Sequence, residues 1–502
     1  MKRSEGTRHR DAVAAAAIVA VVLLLYANTL WNGFAWDDAQ IIVGNPLTRQ
    51  LSRIGTVLLA PDEVAPYYRP LNRASYLIDA AVFGMRPAGF HAVNVVLHAA
   101  NAALLFGVAL GLSGRRGIAF AAALLFAVHP VNSEAVNFLS GRNNLFALLF
   151  SLLAVLFWFR AIAARRTAWA WASGVAFFLG LASKEQALMS LAVIGASSLA
   201  GIPERRPLRE TTRFALPHLV CGVIYLGLRV VSLGGAPHGA ATAGPDILHR
   251  IALNPYIVPK YVSLVVYPAR LTIFHDVPLA WTSPLLALAW LGIVAVAGWT
   301  LRRGGPLAVF GCAWLVLNFL PIANIVPIPS SPLAERYLYV PFAGLWLLLA
   351  AAAARAYDLL PARRVLVMAG LAVIGGCAAR TVARNADWRD DLSLFRSAVA
   401  VDPGSTRARI SLGTTLRAGG DLDGARREWE AALAIDSRNA EAATQLGTLA
   451  AVRGDLVTAE RYYRQALALR ERLAPGSLAL ASSLNNLGIV ALNRGDLEAA
   501  ED

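Results

Sequence analysis

The chain has 502 residues, 57% of them hydrophobic and only 16% charged, with a formal net charge of +14. A soluble domain is nearer about 45–50% apolar and about 25% charged, so this composition excludes a disordered, collagen-like or disulfide-framework protein. Residues 1–383 hold 31 Lys and Arg against 15 Asp and Glu, and residues 384–502 hold 15 against 17, so the whole basic surplus lies in the apolar part, as basic loops of a membrane protein would place it, and no nucleic-acid partner is expected.

A helix needs about 20 apolar residues to cross a bilayer core of about 30 Å. Runs of that kind lie near 12–31, 90–112, 118–139, 143–163, 167–183, 186–202, 214–234, 281–301, 306–326, 338–358 and 365–382. They predict about eleven spans. The first run follows a basic N-terminus and is taken as an uncleaved span, not a signal peptide. Basic clusters recur in alternate connections: Lys2 to Arg10, Arg115-Arg116, Arg165-Arg166, Arg205-Arg206, Arg302-Arg303 and Arg363-Arg364. Short basic loops stay in the cytoplasm, so the N-terminus is expected inside and, with an odd span count, the tail outside. The alternation holds if residues 235–280, rich in proline, cross twice or not at all; a re-entrant or interfacial helix on the outer face is expected there.

The tail, 384–502, carries a repeat. Leu412-Gly413, Leu446-Gly447 and Leu487-Gly488 open similar units, each continuing with Gly-Asp-Leu, at spacings of 34 and then 41 residues. Period 34 with small residues where two helices cross predicts tetratricopeptide repeats, the insertion Leu473–Ala479 lengthening the second period. Residues 392–403 are expected to be the second helix of a degenerate earlier unit, and the last repeat, ending at Asp502, is expected to be incomplete. The fold class is thus all-α: a polytopic helical bundle (1–383, with a first external loop near 32–89) followed by an α-solenoid.

Polar groups gather at the outer ends of the spans. Trp36-Asp37-Asp38 opens the first external loop, and paired carboxylates beside a membrane span are expensive to place there. The bland alternative is a solvated cap flanked by an interfacial aromatic belt. The same loop carries Tyr67-Tyr68-Arg69-Pro70-Leu71 and Arg73, and an arginine fork matches phosphate oxygens, although such arginines also snorkel to headgroups. His129-Pro130 with Glu134, Gly141-Arg142, Ser183-Lys184-Glu185 and Glu335-Arg336-Tyr337 fall on the same side by the predicted topology. Lys184-Glu185 alone would read as a local ion pair worth about 0–1 kcal/mol. His91 and His98 share a helical face with no third ligand in register, so no metal set is assigned, and a divalent cation finds no support. There is no Gly-rich phosphate loop, Walker lysine or nucleophile elbow, which suits a substrate whose lipid tail dissolves in the bilayer.

Taken in order, Trp36-Asp37-Asp38, Asn45-Pro46, Tyr68-Arg69-Pro70-Leu71, Phe90-His91-Ala92-Val93-Asn94, Leu97-His98, His129-Pro130 with Glu134, Ser140-Gly141-Arg142, Ser183-Lys184-Glu185 and Glu335-Arg336-Tyr337-Leu338-Tyr339 resemble the transmembrane and tetratricopeptide-repeat (TMTC-type) O-mannosyltransferases. Those belong to the polytopic GT-C glycosyltransferases. The resemblance covers nearly the whole chain. It implies a mannose donor carried on polyprenyl or dolichyl phosphate and protein Ser or Thr as acceptor, the repeats engaging that protein. It also implies Asp37 as general base with Asp38 orienting it or the sugar. Arg69, Arg142, Lys184 or Arg336 would hold the departing phosphate, and Glu134 and His129 would position sugar hydroxyls, with Glu185 beside them. The Ala- and Arg-rich composition looks bacterial, which implies the inner membrane and periplasmic repeats. Two other readings stand beside this one: transfer of another lipid-linked sugar to a lipid or glycan, and a non-catalytic scaffold recruiting partners through its repeats.

Overall fold

The computed structural model describes residues 4–59, 67–234, 253–275, 284–324, 332–473 and 477–497. Every regular element among them is helical. The chain divides into two compact units, 1–389 and 390–502.

In the first unit the longer helices are α1 (Glu5–Leu25), α2 (Ile54–Leu59), α3 (Pro70–Phe83), α4 (Pro87–Ser113), α5 (Arg116–Val128), α6 (Ser133–Asn137), α7 (Arg142–Ala164), α8 (Thr167–Leu181), α9 (Met189–Leu199), α10 (Leu208–Ser232), α11 (Asn254–Val266), α12 (Pro284–Arg303), α13 (Pro306–Phe319), α14 (Tyr339–Leu359) and α15 (Arg363–Asp387). The described residues of the eleven apolar runs lie mainly in helices, the run 118–139 being divided between α5 and α6. Six described helices are long and apolar enough to cross a membrane, and α5 with α6 forms a seventh, bent by 51°. Thr167–Leu181, Trp290–Thr300 and Pro306–Ile322 are apolar but shorter. A multi-pass membrane protein follows from these helices. The stretch 253–275 of the proline-rich segment contains α11, and 235–252 and 276–280 lie outside the described residues.

The bend has a chemical cause. His129-Pro130 interrupts α5, because proline has no N–H to continue the ladder and its predecessor is forced extended. A short turn, α6 and a further turn at Leu139–Gly141 then bring the chain to the start of α7. Non-helical backbone at membrane depth survives only where protein buries it. Every residue from His129 to Arg142 is buried here. A close crossing locks α13 to α14: a Cβ on Gly311 would lie 2.8 Å from the Gly344 carbonyl oxygen, and one on Gly344 would lie 2.5 Å from that of Gly311. Small residues let membrane helices approach where no hydrophobic drive exists between them. Buried amides tie the first span to the last, Asn32 donating to Asn137 Oδ1 and the Asn385 carbonyl, and Asn385 donating to Asn28 Oδ1.

The second unit is a stack of helical pairs: α16 (Asp391–Val401), α17 (Thr406–Ala418), α18 (Leu422–Ile435), α19 (Ala440–Val452), α20 (Leu456–Leu473) and α21 (Leu478–Arg494). A Cβ on Gly413 would sit 2.5 Å from Trp429, and one on Gly447 would sit 2.8 Å from Tyr463. Those are the crossings that the repeat demands small residues for. Gly420, Gly454 and Gly495 have φ of 87°, 79° and 78°, a left-handed turn that glycine enters without strain. Residues 498–502, where the last repeat was expected to break off, lie outside the described residues.

Candidate active site

The site lies where the first external loop meets the broken α5–α6 segment, the α8–α9 connection and the turn before α14. Trp36 has φ of 58°, a backbone state rare for a bulky residue. Such strain persists only where the surroundings fix it. Here the Trp36 ring stacks on Phe138 at 5.0 Å, and the chain turns so that its two carboxylates part ways.

Asp38 points inward and is fully buried. Its Oδ1 accepts from Ser140 N (2.7 Å) and Ser140 Oγ (2.6 Å), and its Oδ2 accepts from Ala35 N at 3.3 Å. Burial pushes its pKa up to about 7, against the pull of those hydrogen bonds. Asp38 therefore buckles the first loop onto the start of α7. Asp37 is half-buried and lies within electrostatic reach of the Arg336 guanidinium.

Three cations converge with it. Arg336 Nη1 and backbone N both donate to the buried Glu134, and its guanidinium lies 5.2 Å from the Trp36 ring centroid, 5.5 Å from Phe138 and 5.1 Å from Tyr337. Arg69 donates from Nε (3.1 Å) and Nη2 (2.8 Å) to Glu185 Oε2, and stands 4.1 Å over Tyr67. Lys184 Nζ donates to Asn144 Oδ1 at 2.6 Å and lies 5.6 Å from the Tyr337 ring. Desolvation, reinforced by Arg69 and Arg336, lowers the Lys184 pKa to about 7, with Glu185 opposing. Lys184 thus makes no ion pair with its sequence neighbour, which is taken by Arg69 from 116 residues away.

Two expected site residues are placed elsewhere. Arg142 is fully buried and its donors are used: Nε on Asn94 Oδ1, Nη1 on Ser75 Oγ, Nη2 on the Phe90 carbonyl, with Asp79 as its ion-pair partner. It braces α7 against α3 and α4. His129 is also buried, its Nε2 bonded to the Val265 carbonyl and its Nδ1 accepting from Val131 N, so it pins the bend to α11. His98 uses both ring nitrogens, on Tyr339 and the Ala127 carbonyl, and His91 Nε2 meets the Gly33 carbonyl. No group of three or more His, Cys, Asp or Glu suited to a metal occurs among the described residues.

The sequence alone assigned no site role to Asn144, Ser140, Asp79 or His275, although Ser140 lay in a motif it singled out. His275 Nε2 and Thr272 N both meet Glu335 Oε1, at 3.0 and 2.6 Å, anchoring the turn that presents Arg336. Ser140 and Asn144 flank Arg142 and were within reach of the same motif; His275 carried no local signal.

Residues 74–232 match the family described as dolichyl-phosphate-mannose-protein mannosyltransferase, and residues 438–502 match the tetratricopeptide repeat. Protein O-mannosyl-transferase Tmtc1 of Drosophila melanogaster is 28% identical over 83% of this chain and 61% of its own length. Protein O-mannosyl-transferase TMTC2 of Homo sapiens is 26% identical over 80% of this chain and 59% of its own. The chain is thus similar in sequence to TMTC-type O-mannosyltransferases along most of its length. It spans about three fifths of the length of those two relatives. Among solved structures, the archaeal oligosaccharyltransferase AglB from Archaeoglobus fulgidus is 13% identical, at a TM-score of 0.46 over 79% of this chain and 56% of its own.

Proposed function

We propose that this chain is a membrane glycosyltransferase that moves mannose from a polyprenyl or dolichyl phosphate to Ser or Thr hydroxyls of extracytoplasmic proteins, which its repeats engage. Its setting would be a bacterial inner membrane, with the N-terminus inside and the repeats outside. One observation carries the reading: a half-buried carboxylate, Asp37, shares a cluster with Arg336, Lys184 and Arg69 on the broken, protein-buried segment.

The acceptor Oγ attacks the anomeric carbon, the new O–C bond forms as the bond from that carbon to the lipid phosphate oxygen breaks, and Asp37 receives the hydroxyl proton. Attack from the face opposite the phosphate inverts the centre. Phosphate leaves readily without an acid, whereas a neutral hydroxyl needs a positioned base. The negative charge that grows on the phosphate is met by fixed cations, the preorganised arrangement that stabilises transition states most. Lys184 is the best placed of these, because Arg69 and Arg336 are each ion-paired to a carboxylate, while the hydrogen-bond partner of Lys184 among the described residues is the neutral amide of Asn144. Arg336 and Arg69 reinforce it. Asp38 and Glu134 act as positioning residues, one for the Asp37 loop and one for Arg336. Arg142 and His129 belong to the frame.

The test is Asp37→Asn in the purified full-length protein with a polyprenyl-phosphate-mannose donor and extracytoplasmic peptides. Transfer falls about 100- to 10,000-fold, as loss of a positioned base predicts, while folded yield and donor binding hold. Transfer per folded molecule within about threefold of wild type would remove Asp37 from the chemistry.

A further inference from the structure

A cavity of about 210 Å³ lies at the far end of the bundle, bounded by the ends of α4, α12 and α14 and the starts of α5 and α13. Its rim brings together Arg115, Arg303, Arg355 and Asp358, and its wall includes Trp299 and Leu307. The charges are not balanced. Arg115 donates from both Nη atoms to the two Asp358 oxygens, at 2.6 and 3.0 Å, and so neutralises the acid. Arg303 and Arg355 are exposed, and neither has a carboxylate partner in ion-pair contact among the described residues. Two surplus guanidinium groups therefore face one apolar-walled recess. Farther back on the helices that carry them, Leu291 and Val294 are each 65% exposed and Leu349 is 39% exposed, as side chains that meet acyl chains would be.

From the structure we infer that this recess holds the phosphate of an anionic membrane phospholipid, Arg303 and Arg355 gripping it and the acyl chains lying along α12 and α14. Basic recesses between membrane helices recognise such headgroups. The site is distinct from the mannosyl donor's: α14 begins beside Arg336 and ends at the cavity, and its 21 residues span about 30 Å. The three connections that meet there, 114–115, 304–305 and 360–362, adjoin Arg115-Arg116, Arg302-Arg303 and Arg363-Arg364, so the basic pairs face one membrane surface, where anionic lipid attracts them.

The experiment is a lipid titration of the full-length protein in detergent micelles, read by native mass spectrometry, with phosphatidylglycerol and phosphatidylcholine of matched chains. Phosphatidylglycerol binds in preference. Each guanidinium is worth about a factor of five at an anionic surface, so R303Q with R355Q weakens binding about 25-fold. R303K with R355K keeps most of the affinity, and R302Q, an exposed neighbour outside the recess, loses no more than one surface charge is worth, about fivefold. Millimolar inorganic phosphate does not compete, since it lacks the acyl contacts. Equal binding of the two lipids, equal losses in R302Q and the double glutamine variant, or displacement by inorganic phosphate would each overturn the assignment. Should the double glutamine variant fold poorly, thermal stabilisation of the wild type by phosphatidylglycerol, unmatched by phosphatidylcholine, decides it.

Discussion

Lys184 gives the donor site a pH signature. Its ammonium loses water in the cluster and stands near Arg69 and Arg336, so its pKa falls to about 7 from an ordinary 10.5. The charged form is then present below pH 7 and is lost as pH rises through it. If this ammonium meets the donor phosphate, binding takes up a proton wherever the free enzyme has lost it. A group with pKa 7 is about nine-tenths protonated at pH 6 and about one-tenth at pH 8, so the apparent donor Kd rises about tenfold between them. Lys184→Arg supplies a charge that does not titrate, and flattens the profile. Lys184→Met removes charge and slope together, and binds at pH 6 about as weakly as the wild type at high pH. The assay is equilibrium binding of a short-chain polyprenyl-phosphate-mannose to the purified protein, fitted across pH 6 to 8.5. A wild-type slope that survives in Lys184→Arg would refute the assignment, because another group would then be titrating. The donor-free protein supplies a second check: with the folded pKa depressed and the unfolded one ordinary, stability rises as pH climbs above 7 in the wild type and not in Lys184→Met.

Asp38 has the opposite sign. Its folded pKa is raised to about 7 from 3.8, so the folded state holds a proton that the unfolded chain releases, and stability falls by about 4 kcal/mol as pH rises from 4 to 7. Asp38→Asn should remove that fall, seen as a thermal midpoint in detergent that no longer drops over this range; parallel curves for the two proteins would dismiss the buried-acid account. In the repeats, Gly413→Val drives a branched side chain into Trp429, and overpacking of this kind costs about 1–3 kcal/mol. Hydrogen exchange in α17 and α18 of the full chain should quicken about 5- to 150-fold, and an unchanged rate would show that the crossing has room.

Much of this fold is legible because its signals are local. The described parts of the apolar runs are mainly helical, since length and hydropathy are properties of consecutive residues. The repeat declared itself through Gly413, Gly447 and the Gly-Asp turns, where one added carbon would strike a ring or strain a left-handed turn. The interior partners of the polar residues were not legible. Arg142 sits in a motif that invites a phosphate role, yet Asp79, 63 positions earlier, and Asn94, 48 positions earlier, claim its guanidinium. Glu185 follows Lys184 in sequence and pairs with Arg69 instead. Bend angles escape in the same way: His129-Pro130 marks where 118–139 must break, but not the 51° between the two short helices that result.

The fate of the cations follows from what buried charge demands. A guanidinium in the interior must find acceptors for most of its five donors, and Arg142 meets that need with a carboxylate, an amide, a hydroxyl and a carbonyl. Such a group is spent, because taking a phosphate would strip acceptors that nothing else replaces. An ammonium has three donors and a compact charge, and Lys184 commits one of its donors to Asn144. Desolvation lowers its pKa first, the neighbouring Arg69 and Arg336 lower it further, and Glu185 offsets this only in part, while its amide partner stabilises the charge less than a carboxylate would. On the proposed reading, the same low pKa that marks Lys184 as costly to bury makes it the cation with most to gain from a departing phosphate. Arg336 is already tied to Glu134, and the charge of Asp37 acts on that same guanidinium.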